Sequence, residues 1–114
     1  MVENPHDDDT FDLYTLKVEV KATDRPFVCS HHVGDYFLVC GENLIFEQTR
    51  SFSLYALAAL LPLLPAKQRE LSRNDWMFTD SDIACPDPHC GALFHISRLN
   101  TCEYSHSQAT VVPL

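Results

Sequence analysis

Three side chains that can bind a metal or act as nucleophiles stand beside strand-like segments: Cys29, His32 and Cys85. Only two residues separate Cys29 from His32, so both side chains can point into one cavity from a tight turn. Thiolate sulfur and imidazole nitrogen suit Zn²⁺, Cu or Fe(II) as ligands. A hairpin and a helical segment separate Cys85 from this pair, so only the fold can bring the three together. The residue types therefore predict a metal site with three protein ligands, Cys29, His32 and Cys85.

Two further candidate ligands, His89 and Cys90, follow Cys85 in the turn "PDPHCG". Their spacing from Cys85 is irregular for a zinc knuckle. We expect water, a substrate or Cys90 in the fourth coordination position of the metal. An open position would permit Lewis-acid or redox chemistry on a small molecule, whereas a closed position would make the site structural.

The same residues also allow two functions that need no metal. A thiolate beside an imidazole has a lowered pKa, so Cys29 or Cys85 could act as the nucleophile of a thiol enzyme with His32 as its base. Alternatively the cysteines are core residues, because free cysteine is among the most buried residue types. The chain would then be a non-catalytic interaction module that docks through an apolar helix face.

Composition excludes several other classes of protein. The chain has 114 residues and a net charge of −8, which predicts one domain and argues against binding to nucleic acid. Its longest apolar stretch, residues 54–65, contains two prolines and is too short to span a membrane. The N-terminus is acidic and lacks a secretory signal, which predicts a cytoplasmic protein whose five cysteines are free thiols or ligands.

Alternating and continuous apolar runs predict five strands that would surround the candidate ligands. They are Leu13–Lys21, Tyr36–Cys40, Leu44–Gln48, Asp82–Pro88 and Ala92–Leu99, with the second and third forming a hairpin. Pro86 must end the fourth strand or place it at a sheet edge. We expect an α+β domain over residues 13–100, built on a small curved antiparallel sheet, with an acidic flexible tail at 1–12 and a C-terminal tail at 101–114.

The middle of the chain has helical periodicity instead. Ser51 or Ser53 can cap a helix whose core face includes Leu57 and Leu61, and Pro62 ends or kinks it. A second short helix, "AKQREL", is predicted to turn its polar side chains to water. Trp76, where the chain returns to the sheet, is predicted to cover the open side of the core.

Four segments carry a resemblance to a known family: "CSHHVGDYF", "LYALAALLPLLPAKQRE", "NDW", and "CPDP" followed by "LFHISRL". Together they resemble a family of short, mostly uncharacterised microbial proteins over residues 16–99. The matching positions are Cys29, His32, Asp75, Trp76 and Cys85. As an alternative to a packing role for Trp76, Asp75 and Trp76 are candidates for a pocket wall. Relatives often carry another cysteine where this chain has Ser53, which implies an open three-ligand site here. The family implies no particular reaction.

Overall fold

The structure is a computed structural model that describes residues 9–114, so most of the predicted acidic tail lies outside the described residues. Five antiparallel strands form one sheet: β1 (Thr10–Lys21), β2 (Tyr36–Cys40), β3 (Asn43–Ile45), β4 (Asp82–Ala84) and β5 (Leu93–Ser105). Their order, β3-β2-β1-β5-β4, places the first and last strands at the centre. Four short helices within the described part are α1 (Leu54–Leu60), α2 (Leu64–Lys67), α3 (Trp76–Thr79) and α4 (His106–Ala109). The α+β class is confirmed, with strand dominating over helix.

The central pair of strands, β1 and β5, is longer than the sequence predicted. Its pairing runs from Thr10 opposite Ser105 to Lys21 opposite Leu93, with one shift of register. Both strands therefore continue past the expected domain limits of residues 13 and 100. Residues 10–12 and 101–105 lack clear apolar alternation, but each segment finds its backbone partners in the other.

The edges of the sheet follow the prediction more closely. β2 and β3 form the expected hairpin through a two-residue turn, although β3 is shorter than the predicted strand. β4 ends before Pro86 and lies at the opposite edge, as the proline required.

Helix α1 begins where the sequence predicted but buries a different face. The Ser53 hydroxyl accepts a hydrogen bond from the Ala56 N–H and caps the helix. The buried residues are Ala56 and Leu60, whereas Leu61 is 45% exposed, so the prediction that Leu61 belongs to the core is wrong. This segment is apolar on nearly every side, so its period does not decide which face packs on the sheet.

The second predicted helix is shorter, and its polar residues do not all face water. Lys67 and Gln68 are 0% and 5% exposed, which corrects the expectation for both. The Lys67 ammonium group donates to the carbonyls of Met77 and Asp80 at the end of α3. Burial lowers the pKa of Lys67, and the nearby Arg98 guanidinium lowers it further. These partners belong to the next helix and its C-cap, ten or more positions along the chain, so local sequence periodicity carries no sign of them.

Trp76 does not cover the core. Its surface is 69% exposed, and Asp75 caps α3 by accepting a hydrogen bond from the Met77 N–H. The aromatic residue that closes the core is Phe52, whose ring packs against Phe37 and Phe94. Across the described residues, no helix has the length and apolar character needed to cross a membrane.

Candidate metal centre

Two loops meet at the end of the sheet where β1 ends and β5 begins. Residues 22–35 connect β1 to β2, and residues 85–92 connect β4 to β5. The Gly91 N–H donates to the Pro26 carbonyl at 3.0 Å, and the Thr23 hydroxyl donates to the Gly91 carbonyl at 2.6 Å. The Arg25 guanidinium donates to the Pro88 carbonyl at 2.8 Å. These hydrogen bonds join the two loops directly, independently of any side chain that could bind a metal.

Gly91 allows the two loops to approach each other. A Cβ atom at this position would lie only 2.0 Å from the carbonyl oxygen of Arg25. The carbonyl oxygen is part of the backbone, and the Cβ atom would be bonded directly to the backbone. Neither atom could therefore move aside unless one of the two loops moved. The absence of a side chain at residue 91 is therefore a requirement of this contact.

Three cysteines from the two loops bring their sulfur atoms together. The sulfurs of Cys29, Cys85 and Cys90 all lie within 4.8 Å of one another, and those of Cys29 and Cys90 are 3.3 Å apart. Cys90 is 2% exposed, and the other two are partly buried. Thiolates bound to a tetrahedral zinc ion with bonds of about 2.3 Å lie about 3.8 Å from each other. The observed cluster thus needs only small shifts to reach that geometry.

The three thiols differ in their acidity. Burial alone would raise the pKa of Cys90, but N–H groups of Cys29, Ala92 and Val28, together with the Cys29 thiol, lower it to about 6. The Val28 N–H lies 3.3 Å from the Cys90 sulfur. Burial raises the pKa of Cys29 and of Cys85, and the neighbouring Cys90 raises both further. Cys90 is therefore the thiol of the three that loses its proton most readily.

The two adjacent histidines differ in burial. His31 is 5% exposed, and its Nε2 accepts a hydrogen bond from the Ser53 N–H at 3.2 Å. Its ring packs against Phe52 and Phe94, and burial lowers its pKa. The side chain of His32 is 86% exposed, with its Nδ1 3.7 Å from the Asp35 carboxylate. The structure therefore brings Cys29 and Cys85 together but leaves His32 outside the group of close ligand atoms.

Cys90, and not His32, joins Cys29 and Cys85 in the group of close ligand atoms. The sequence indicated Cys90 only as a candidate fourth ligand, because its spacing from Cys85 is irregular. The sequence feature that could have indicated Cys90 is the glycine directly after it. Gly91 allows the loop of residues 85–92 to lie against residues 25–28. His89 is exposed and lies outside the sulfur group, with its N–H bound to the Asp87 carboxylate. Asp75 and Trp76 belong to α3 and its cap, and neither has a ligand atom in the group.

The other two cysteines lie away from this cluster. Cys40 is the last residue of β2, and Cys102 pairs with Leu13 near the start of β1, at the far end of the sheet. Neither belongs to the group of close sulfur atoms. They therefore provide internal controls for experiments on the three clustered thiols.

Comparison with known proteins gives no match. No family model fits the sequence, and no curated protein or solved structure is significantly similar to it. The resemblance to the family of short microbial proteins therefore stays a prediction, and the arrangement of the three sulfurs has to carry the functional argument by itself.

Proposed function

We propose that this protein binds one transition-metal ion, Zn²⁺ in the first instance, through the thiolates of Cys29, Cys85 and Cys90. The observation that carries the proposal is the convergence of three sulfur atoms within 4.8 Å of one another. Sulfur ligands favour Zn²⁺, Cu(I) or an iron–sulfur centre over Mg²⁺ or Ca²⁺. Among these, Zn²⁺ binds three thiolates in a tetrahedral shell together with a fourth ligand such as an imidazole nitrogen or a water molecule.

The surroundings of the sulfurs support a bound cation. Three thiolates without a metal would be opposed by burial, which raises the pKa of Cys29 and of Cys85, and by the repulsion of the neighbouring Cys90. A divalent ion removes that repulsion, and the N–H groups directed at Cys90 stabilise the remaining negative charge. The ion would also join the loops of residues 22–35 and 85–92 by direct bonds.

The fourth coordination position decides whether the site is structural or reactive. His32 is the candidate protein ligand, because it follows Cys29 by three positions and its exposed ring can turn without disturbing the core. If water or a small molecule takes this position instead, the ion can polarise it as a Lewis acid. Cobalt substitution distinguishes the two arrangements. Loss of the His32 imidazole should change the visible absorption of a Co²⁺ complex only if that imidazole is bound, and His89→Ala serves as the control.

A thiol enzyme without a metal is the second candidate, favoured by the lowered pKa of Cys90, at about 6. In that case Cys90 would be the nucleophile, and neither Cys29 nor Cys85, whose pKa values are raised, would fill the role. Cys90 is, however, only 2% exposed, which leaves little room for a substrate to reach its sulfur. The metal-binding function accounts for all three thiols and ranks first.

Elemental analysis of protein purified under reducing conditions tests the proposal. We expect about one zinc per chain in the native protein, and loss of that zinc in Cys29→Ser, Cys85→Ser and Cys90→Ser. The matched variants Cys40→Ser and Cys102→Ser should keep it. A native protein that neither contains a metal nor takes up Zn²⁺ or Co²⁺ in reducing buffer would refute metal binding. Selective alkylation of Cys90 in such a protein would favour the thiol enzyme.

A further inference from the structure

A second candidate site lies at the other end of the sheet from the cysteine cluster. A cavity of about 820 Å³ opens between α2, the turn of the β2–β3 hairpin and the last part of β5. Its wall on β1 is formed by Phe11 and Leu13, whereas the cysteine loops follow Lys21 at the opposite end of that strand. The volume falls within the range of roughly 300–1,000 Å³ that is usual for small-molecule sites.

The cavity is lined mainly by apolar side chains. Leu13 and Leu64, at 7% and 3% exposed, line it together with the less buried Leu44 and Leu61. The rings of Phe11 and Tyr104 stack with their centres 5.8 Å apart along one wall. Such a surface favours a ligand with an aromatic or aliphatic body, because burying that body removes apolar area from water.

One buried polar side chain gives the cavity a fixed hydrogen-bond acceptor. Gln68 is 5% exposed, and its Nε2 donates to the Gly41 carbonyl at 2.8 Å. Because a carbonyl can only accept, this bond fixes which end of the amide faces Gly41. The amide oxygen then remains with no donor among residues 9–114, on a side chain that lines the cavity. Because the Gln68 side chain lines the cavity, this open acceptor favours a ligand that carries an N–H or O–H group.

The charges around the cavity select against anions. Glu42 and Glu103 line it together with a single cation, Arg69, whose guanidinium donates to the Pro65 carbonyl at 2.8 Å. The whole chain carries a net charge of −8. An anionic ligand would meet like charge both at the rim and over the surface as a whole.

We propose that this cavity is a binding site for an uncharged or cationic small molecule with an apolar body and one hydrogen-bond donor, which bonds to the Gln68 amide oxygen. The site is separate from the proposed metal centre and does not depend on it. Two binding functions would then lie at opposite ends of the β1–β5 pair.

Three fluorescent probes of similar shape test the ligand class. N-phenyl-1-naphthylamine is uncharged and has one N–H group, 1-phenylnaphthalene lacks the donor, and 1-anilinonaphthalene-8-sulfonate adds a negative charge. The native protein should bind the amine at one saturable site. The hydrocarbon and the sulfonate should each bind at least about tenfold more weakly, a difference of about 1.4 kcal/mol. A sulfonate that binds as tightly as the amine would overturn the assigned class.

Variants test the location. Leu61→Trp should fill part of the cavity and weaken binding of the amine by at least about tenfold. Leu54→Trp, an exposed leucine of the same segment outside the cavity, should leave it unchanged. Gln68→Met should abolish the preference for the amine over the hydrocarbon. If the role of Gln68 were purely structural, the substitution would weaken the binding of both probes to the same extent.

Two results would overturn the proposal: no saturable binding of the amine to the native protein, or equal binding by the two tryptophan variants. Removal of zinc should leave amine binding intact, so failure of the metal site and failure of this site are distinguishable. A thermal unfolding curve of each variant, recorded without probe, establishes that lost binding reflects the cavity and not an unfolded chain.

Discussion

The sulfur atoms of Cys29 and Cys90 lie 3.3 Å apart although 61 positions separate them along the chain. Two ionised thiolates would repel each other at that distance, so the contact requires either a shared proton or a cation. Without metal, a proton shared between the two sulfurs meets this requirement. After the backbone N–H groups of Cys29, Ala92 and Val28, this hydrogen bond is a further reason why the pKa of Cys90 is lowered. Metal binding would replace that proton by a cation, so the affinity for zinc should depend on pH.

Zinc should stabilise the folded protein. An ion that joins the loops of residues 22–35 and 85–92 binds the native state and has no preformed site in the unfolded chain. At a free concentration 100 times its dissociation constant, it should add about 2.7 kcal/mol to the free energy of unfolding. The measurement is chemical unfolding in reducing buffer, with and without zinc. Cys90→Ser should show no increase, and identical curves for the native protein would contradict the site.

The zinc affinity should depend on pH with a change of slope near pH 6. Cys29 and Cys85 have raised pKa values, so zinc must displace a proton from each, and the logarithm of the association constant should rise by about two per pH unit above pH 6. Below pH 6, Cys90 is protonated as well, because its pKa is about 6, and the slope should steepen to about three. Affinity therefore falls as pH falls. Competition with a chromophoric chelator measures it, and a slope that stays constant from pH 8 to pH 5 would be inconsistent with the ionisation described.

Gly91→Ala should disrupt the metal site through a backbone clash. Its new methyl group would lie 2.0 Å from the Arg25 carbonyl oxygen, so the loops must separate at a cost of about 1–3 kcal/mol. The separation should also weaken zinc binding, because the loops carry different ligands. Gly41→Ala is the matched control. Gly41 has φ +60°, and a methyl group there would contact the Tyr104 side chain at the opposite end of the sheet. It should reduce stability without changing zinc affinity; equal losses of affinity in the two variants would show that the effect is not local.

Leu60→Ala should destabilise the protein by about 2–5 kcal/mol, because Leu60 is fully buried and its removal leaves a cavity. Leu54→Ala makes the same chemical change in the same helix at a position that is 74% exposed, and should cost less than about 0.5 kcal/mol. Urea unfolding of both variants gives the two values. Similar losses would mean that the buried face of α1 differs from the one described.

The sequence predicted the strands better than it predicted the packing of the helices. Alternation in β1 puts Tyr14, Leu16, Val18 and Val20 on one face. The last three are fully buried, whereas Tyr14, beyond the shift of register, is only partly buried. In α1, apolar residues occupy nearly every position, so the buried face depends on how the helix lies on the sheet. Lys67 shows the same limit for polar residues, since its burial depends on carbonyl groups ten or more positions away.

The candidate site was only partly predictable for a related reason. Residue type identified Cys29 and Cys85 as candidates, although only Cys85 directly follows a strand and Cys29 lies within the loop of residues 22–35. The choice between Cys90 and His32 depends on how closely two loops approach, which Gly91 sets. The inward turn of His31 likewise depends on a partner, the Ser53 N–H, that lies beyond the reach of local spacing.

The central position of β1 and β5 has a consequence for the order in which the sheet can form. Among the described strands β1 comes first along the chain, yet its longest pairing is with β5, which comes last. Until β5 is available, only the β2 edge of β1 has a partner, and its other edge exposes unpaired backbone groups. Closing the pair brings together residues as far apart as Thr10 and Ser105, which is the type of long-range contact that slows folding.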